Sequence, residues 1–179
     1  MTDRIYNVLF LCTGNSARSI IAEALIGRWG QGKFRGFSAG SHPKTAVHPL
    51  ALRLLEMRNF LTEGLRSKYW NEFARADAPQ MDFVFTVCDN AAVEVCPIWL
   101  GRPVTAHWGV ADPAAVAGDE STQMEAFRLA LRELENRIKV FTALPFDSID
   151  SLHLQEALNA IGRQAATETA HGRVAPQKI

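Results

Sequence analysis

The sequence lacks a net charge. Its 179 residues include 19 Lys and Arg against 19 Asp and Glu. A chain without surplus positive charge has no general attraction for nucleic acids or anionic membrane surfaces, so we expect neither as a main partner. Any attraction for a small anion must then come from a local arrangement of residues.

Long apolar runs are also missing. No apolar run approaches the length of a membrane-spanning helix, which is about 20 residues. The apolar stretch from Val8 to Cys12 is too short for the core of a signal peptide. We therefore expect a cytoplasmic protein. Its length suits one domain, since domains usually have roughly 100–200 residues.

Cysteine is scarce, with three residues, Cys12, Cys88 and Cys96. An odd, small number does not make a disulfide scaffold. On composition alone these would be buried free thiols, because cysteine is among the most buried residue types. The five histidines are not accompanied by a Cys-x-x-Cys pair or by another ligand pattern, so we expect no metal site and no tightly bound cofactor.

Apolar runs and amphipathic patterns alternate along the chain. The continuous runs Asn7–Cys12 and Asp82–Cys88 predict buried parallel strands. Apolar residues at three- and four-residue spacings predict helices. The other predicted elements are strands at 33–39 and 104–107, helices beginning at Ser19 and His48, helices over 65–76 and 120–142, and a loop over 89–103.

This alternation is typical of an open parallel α/β sheet. We expect residues 1–144 to form one domain and residues 145–179 to form a C-terminal extension, a helix followed by a frayed tail. Ligands of such sheets bind outside the carboxyl ends of the strands. Because Cys12 and Cys88 each end a predicted strand, the fold should bring them to the same edge.

The segment after the first strand has the pattern of an oxyanion-binding loop. Its residues are Cys12, Thr13, Gly14, Asn15, Ser16, Ala17, Arg18 and Ser19. Small residues entering a helix leave backbone N–H groups that form an anion nest, and the helix N-terminus adds positive charge. Arg18 supplies a planar fork for two oxygens of a tetrahedral anion.

The same field should stabilise a thiolate. We therefore expect the pKa of Cys12 to fall below about 8.5, which makes it a nucleophile. Ser19 is expected to hydrogen-bond that thiolate. Asn15 should adopt left-handed backbone angles or brace the loop with its amide.

These residues resemble the arsenate reductases, of the thioredoxin-coupled type, that share a fold with low-molecular-weight tyrosine phosphatases. The resemblance covers roughly residues 8–141 and implies a three-layer sandwich with a four-stranded parallel sheet. It rests on four motifs in order: Cys12–Ser19, Ser38-Ala39-Gly40, Val87-Cys88 with Cys96-Pro97, and His107-Trp108-Gly109 with Asp112-Pro113.

The resemblance implies roles for individual residues. Cys12 attacks the oxyanion, and Asp112 is the general acid. Cys88 then attacks Cys12, which releases arsenite, and Cys96 moves the disulfide to Cys88 by thiol exchange. His107 and Trp108 are expected to position the loop that carries the acid. Arsenate is the implied substrate, and phosphate or sulfate should also fit the loop.

A phosphatase remains an alternative because the first chemical step is shared. Three features favour the reductase. Ala114 and Ala115 follow Asp112-Pro113, where phosphatases usually carry an aromatic residue, and Ala17 stands where they usually have a second loop cysteine. The third feature is the pair Cys88 and Cys96, which hydrolysis does not need. A redox sensor or oxyanion-binding regulator is the non-enzymatic alternative.

Two departures from the family pattern concern the electron donor and a cation. Seven residues, 89–95, separate Cys88 from Cys96, about one more than is typical, so either thioredoxin or glutathione with glutaredoxin is the expected reductant. Some relatives bind potassium through residues matching Asn15, Glu23 and Ser38, plus an acid. Here Lys68 takes the place of the acid, and we expect its ammonium to replace the ion.

Overall fold

The computed structural model describes residues 4–168 of the chain. The expected frayed tail beyond Glu168 lies outside them. The four strands are β1 (Tyr6–Cys12), β2 (Phe34–Gly40), β3 (Phe83–Thr86) and β4 (Val104–His107). The helices are α1 (Arg18–Trp29), α2 (Pro49–Met57), α3 (Asp89–Val93), α4 (Glu120–Thr142) and α5 (Ser151–Glu168), with short 3-10 helices at Trp70–Phe73 and Pro113–Ala115.

The strands form one parallel sheet in the order β2-β1-β3-β4. The register pairs Cys12 with Gly40 and Leu11 with Thr86. The carboxyl ends of the three strands β1, β2 and β3 therefore meet at one edge, as the sequence predicts. This confirms the expected four-stranded, low-molecular-weight phosphatase-like fold.

Successive residues of β1 face opposite sides of the sheet. Val8 and Phe10 pack into a large core with α1, α2, α4 and α5. Leu9 and Leu11 pack into a smaller one with the 3-10 helix Trp70–Phe73 and with Trp99. Because both faces of β1 are covered, the strand reads as a continuous apolar run rather than an alternating one.

Helix α4 has the bounds that its sequence pattern predicts. Asp119 caps it by accepting a hydrogen bond from the Thr122 N–H over 2.8 Å, a typical N-cap contact. Its buried apolar residues recur at three- and four-residue spacings: Met124, Phe127, Leu131, Leu134, Ile138 and Phe141. This stripe faces the core, and the exposed positions between are mostly polar.

The helix predicted over residues 65–76 is wrong. Only Trp70–Phe73 is helical, as a 3-10 turn. The reason is tertiary: the Gly40 N–H donates to the Lys68 carbonyl over 2.9 Å, and Tyr69 bridges to Gly40 like a short parallel strand. The loop predicted over residues 89–103 is also partly wrong, since it begins with α3.

Helix α5 confirms the predicted C-terminal helix. Asp150 precedes it and accepts hydrogen bonds from the N–H groups of Leu152 and His153, each over 3.0 Å. Leu158 is fully buried in the large core. None of the helices in residues 4–168 is long and apolar enough to cross a membrane.

Candidate active site

The loop from Cys12 to Ser19 turns at Asn15, whose φ of 41° lies in the left-handed region. Its buried amide Nδ2 donates to Ser19 Oγ (2.9 Å) and to Ser38 Oγ (3.0 Å). Its Oδ1 accepts from the Lys68 N–H over 2.8 Å. Asn15 therefore both adopts the left-handed conformation and braces the loop with its amide.

The carbonyl groups of this loop point outward. Those of Thr13, Gly14 and Ser16 accept backbone N–H groups of the segment 42–48, at 2.9, 2.9 and 2.8 Å. The Asn15 carbonyl accepts the Ser67 hydroxyl over 2.6 Å. With the carbonyls held from outside, the loop can direct its N–H groups into the concave interior, which is the arrangement that binds an anion.

Arg18 is the first residue of α1 and connects this loop to the segment after β4. Its Nη1 donates to the Val110 carbonyl over 2.9 Å. Its Nη2 lies 3.3 Å from Asp112 Oδ2. The Asp112 Oδ1 accepts the Ala114 N–H over 3.1 Å. The structure thus brings the predicted cation and the predicted acid together at the mouth of the loop.

Cys12 and Cys88 lie side by side, as the strand-end argument predicts. The Cys88 sulfur accepts the N–H groups of Thr13 (3.3 Å) and Ala91 (3.4 Å). A hydrogen bond with Cys12 lowers the pKa of Cys88 to about 5, with further help from these N–H groups. The same bond, with burial, raises the pKa of Cys12.

Contacts of Cys12 act on its pKa in both directions. Burial and the hydrogen bond with Cys88 oppose the expected drop, whereas the Arg18 charge and the Gly14 N–H favour it. Two sulfurs that share a proton titrate as a pair. The expected bond from Ser19 to the Cys12 thiolate is wrong. Within the described residues Ser19 Oγ bonds to Asn15 instead.

Cys96 is not part of this cluster. All three cysteines are free, but Cys96 is half-buried against the smaller core on the other face of the sheet. Burial raises the pKa of its thiol, and the negative charge of Glu94 adds to that effect. Cys96 is therefore a protonated thiol near neutral pH.

Glu94 is a residue at the site that the sequence reasoning missed. Its Oε1 accepts the Thr13 hydroxyl over 3.3 Å, while its Oε2 is buried without a hydrogen-bond partner. Thr13 Oγ1 also lies 3.7 Å from the Cys88 sulfur. An acid in the segment between two cysteines was the only available signal, and charged residues in loops are too common to single it out.

Lys68 lies in a buried pocket beside the loop. Its ammonium contacts the Arg66 carbonyl (2.8 Å), Ser38 Oγ (3.3 Å) and Glu23 Oε2 (3.5 Å). Ser38 also donates to Glu23. Burial lowers the pKa of Lys68, and the Glu23 carboxylate opposes this. Across the described chain no cluster of three His, Cys, Asp or Glu side chains is arranged to hold a metal ion.

The sequence model of the low molecular weight phosphotyrosine protein phosphatase family matches residues 7–153. The chain belongs to this family. The match contains the sheet except for Tyr6, and every site residue described above, and it ends three residues into α5. The phosphatase family assignment confirms the resemblance stated from the sequence.

Similar members of this phosphatase family are named arsenate reductases. One from Halalkalibacterium halodurans is 34% identical over 140 residues, covering 75% of this chain and 93% of that protein. The crystal structure of an arsenate reductase from Archaeoglobus fulgidus is 30% identical, has a TM-score of 0.62, and covers 76% of this chain and 99% of its own. These relatives are enzymes, which agrees with the expectation of an enzyme.

The names of two further relatives state different electron donors. A glutaredoxin arsenate reductase from Synechocystis is 27% identical and covers 74% of this chain and 92% of that protein. A thioredoxin-dependent arsenate reductase from Corynebacterium glutamicum is 25% identical with a TM-score of 0.52, over 78% of this chain and 64% of its own. Both donor types therefore occur among relatives of this chain.

Proposed function

We propose that this protein reduces arsenate to arsenite through a relay of Cys12, Cys88 and Cys96. The observation that carries the proposal is the position of the Cys88 sulfur beside the oxyanion loop, where it accepts the N–H of Thr13, the residue after Cys12, over 3.3 Å. Ester hydrolysis does not need a second sulfur there. A two-electron reduction does, because closing a disulfide between two thiols releases two electrons.

In the first step Cys12 attacks the arsenic atom of arsenate held in the loop. An arsenic–oxygen bond breaks, and Asp112 gives that oxygen a proton so that it leaves as water. Transfer of the shared proton to Cys88 delivers the thiolate to Cys12. Arg18, a loop residue whose guanidinium contacts Val110 and Asp112, neutralises charge on the remaining oxygens.

In the second step Cys88 attacks Cys12, and the proton of Cys88 passes to the departing arsenite. The sulfur–arsenic bond breaks and its electron pair stays on arsenic, which leaves as arsenite. The product is a Cys12–Cys88 disulfide. The Cys88 sulfur already accepts the N–H of Thr13, the residue after Cys12, over 3.3 Å, and this adjacency in the reduced protein supports the order.

In the third step Cys96 attacks Cys88, the proton of Cys96 passes to the released Cys12 sulfur, and a Cys88–Cys96 disulfide remains. Cys96 packs with the smaller core while Cys12 and Cys88 belong to the larger one. The segment 89–95, including α3, therefore has to rearrange. An external thiol carrier, thioredoxin or glutathione with glutaredoxin, then supplies two electrons to reopen the disulfide.

The decisive experiment counts thiols in the reduced protein after incubation with arsenate alone. We expect loss of two thiols and release of one arsenite per protein, and neither in the Cys88→Ser variant. Release of phosphate from an aryl phosphate with all thiols intact, and no arsenite, would instead favour the phosphatase. If neither reaction occurs, a redox sensor or anion-binding regulator becomes the better explanation.

A further inference from the structure

Helix α5 lies mostly beyond the family match and packs on β4 and α4. Leu158 is fully buried and Ile161 nearly so. The Gln155 side-chain amide donates to the Thr105 carbonyl of β4 over 2.8 Å. The helix is therefore bound to the strand that leads into the segment carrying Asp112.

The contact is closest where β4 ends. Trp108, fully buried, stacks on Phe85 with ring centroids 4.0 Å apart. Its indole N–H donates to the Leu158 carbonyl of α5 over 3.0 Å. A Cβ atom on Gly162 would lie 2.3 Å from the His107 carbonyl oxygen. Only glycine lets the helix approach this backbone so closely.

The next two carbonyl groups of the chain, those of Trp108 and Gly109, are bound by α4. The buried guanidinium of Arg137 donates through Nη1 to the Trp108 carbonyl (2.7 Å) and the Gly109 carbonyl (3.1 Å). Because α4 and α5 both bond to Trp108, the start of the loop leading to Asp112 is fixed between the two helices.

The loop that begins at this fixed point makes the contacts with Arg18. Val110, two residues after Trp108, offers its carbonyl to Arg18, and Asp112 follows with its carboxylate. We propose that α5 is a positioning element for the proton donor, acting through Trp108 to hold Asp112 at the oxyanion loop. This inference rests on the proposed function for Asp112 but concerns residues that touch no substrate.

The test uses Gly162→Ala in the full chain, with Gly27→Ala as matched control. Gly27 is a helical glycine whose added Cβ would meet nothing within 4 Å. In Gly162→Ala we expect single-turnover arsenite formation to slow by about tenfold, since small misplacement of a catalytic group is costly. We also expect its pH dependence to flatten toward that of Asp112→Asn. Gly27→Ala should match the wild type.

Hydrogen exchange gives a readout that does not depend on arsenate. The Val110 and Ala114 N–H groups, bonded to Val87 and Asp112, should exchange faster in Gly162→Ala while β1 keeps its protection. Trp108→Phe, which removes only the indole donor and part of the ring, should also speed exchange at these two N–H groups. It replaces Gly162→Ala in the test if that variant does not fold.

Unchanged exchange at Val110 and Ala114 would overturn the positioning proposal, whether or not the protein reduces arsenate. A lower melting temperature of Gly162→Ala with an unchanged pH profile of arsenite formation would also overturn it, because α5 would then only pack on the core. Absence of arsenite from the wild-type protein, by contrast, would refute the proposed function.

Discussion

The backbone N–H of Thr13 donates to the sulfur of Cys88 over 3.3 Å, across 75 residues of sequence. This bond ties the first peptide after Cys12 to the end of a neighbouring strand. It holds the Cys88 sulfur beside the peptide that follows Cys12 before any anion arrives, and it favours a thiolate at Cys88.

The charge distribution in this pair can be tested by replacing Cys12. In Cys12→Ala the S–H donor is lost, so the pKa of Cys88 should rise from about 5. We expect a rise of about one unit or more, since a hydrogen bond to a charged group contributes roughly 1.5–3 kcal/mol. Thiolate absorbance against pH measures it. Cys12→Ser, which keeps a hydroxyl donor, should shift less, and equal values in all three proteins would contradict the pairing.

Glu94 should control the reactivity of Cys96. Its negative charge disfavours the thiolate, so Glu94→Gln lowers the pKa of Cys96, although burial, the larger cause, remains. Alkylation of Cys96 at neutral pH, followed by peptide mass spectrometry, should become severalfold faster. Asp89→Asn is the control from the same segment and should leave that rate unchanged. Slower alkylation of Cys96 in Glu94→Gln would show that Glu94 does not raise the pKa of Cys96.

The order of the relay predicts the behaviour of Cys96→Ser. Because arsenite leaves when Cys88 attacks Cys12, this variant should release one equivalent of arsenite and then stop, with a Cys12–Cys88 disulfide. A single-turnover assay and a disulfide map check both points. Cys88→Ser should release none. If Cys96→Ser also released none, the proposed order would be refuted.

Lys68 should make the activity independent of potassium. Its ammonium already fills the pocket of Glu23 and Ser38, so exchanging sodium for potassium at constant ionic strength should leave kcat/KM unchanged. Lys68→Ala leaves the Glu23 carboxylate without its cation and should lower the free energy of unfolding by roughly 3 kcal/mol. Potassium should restore part of that variant's activity. A severalfold stimulation of the wild type would exclude the replacement.

The sequence predicted those parts of the site that follow from periodicity and sheet geometry. The apolar run of β1 and the stripe of α4 are strong local patterns, and parallel pairing alone brings Cys12 and Cys88 to one edge. The prediction of a helix around Lys68 failed because the Gly40 N–H donates to the Lys68 carbonyl, which holds this segment in an extended conformation. The pKa of Cys12 could not be predicted from the sequence alone because it also depends on the hydrogen bond with Cys88 and on burial, which no local pattern encodes.

The position of β4 at the edge of the sheet has a consequence during synthesis. An edge strand presents unpaired backbone groups that can pair with another chain. In the folded protein the Gln155 side chain donates to the Thr105 carbonyl, but α5 is synthesised after β4. Until α5 leaves the ribosome, the nascent domain exposes an open strand, so docking of α5 also protects this edge against self-association.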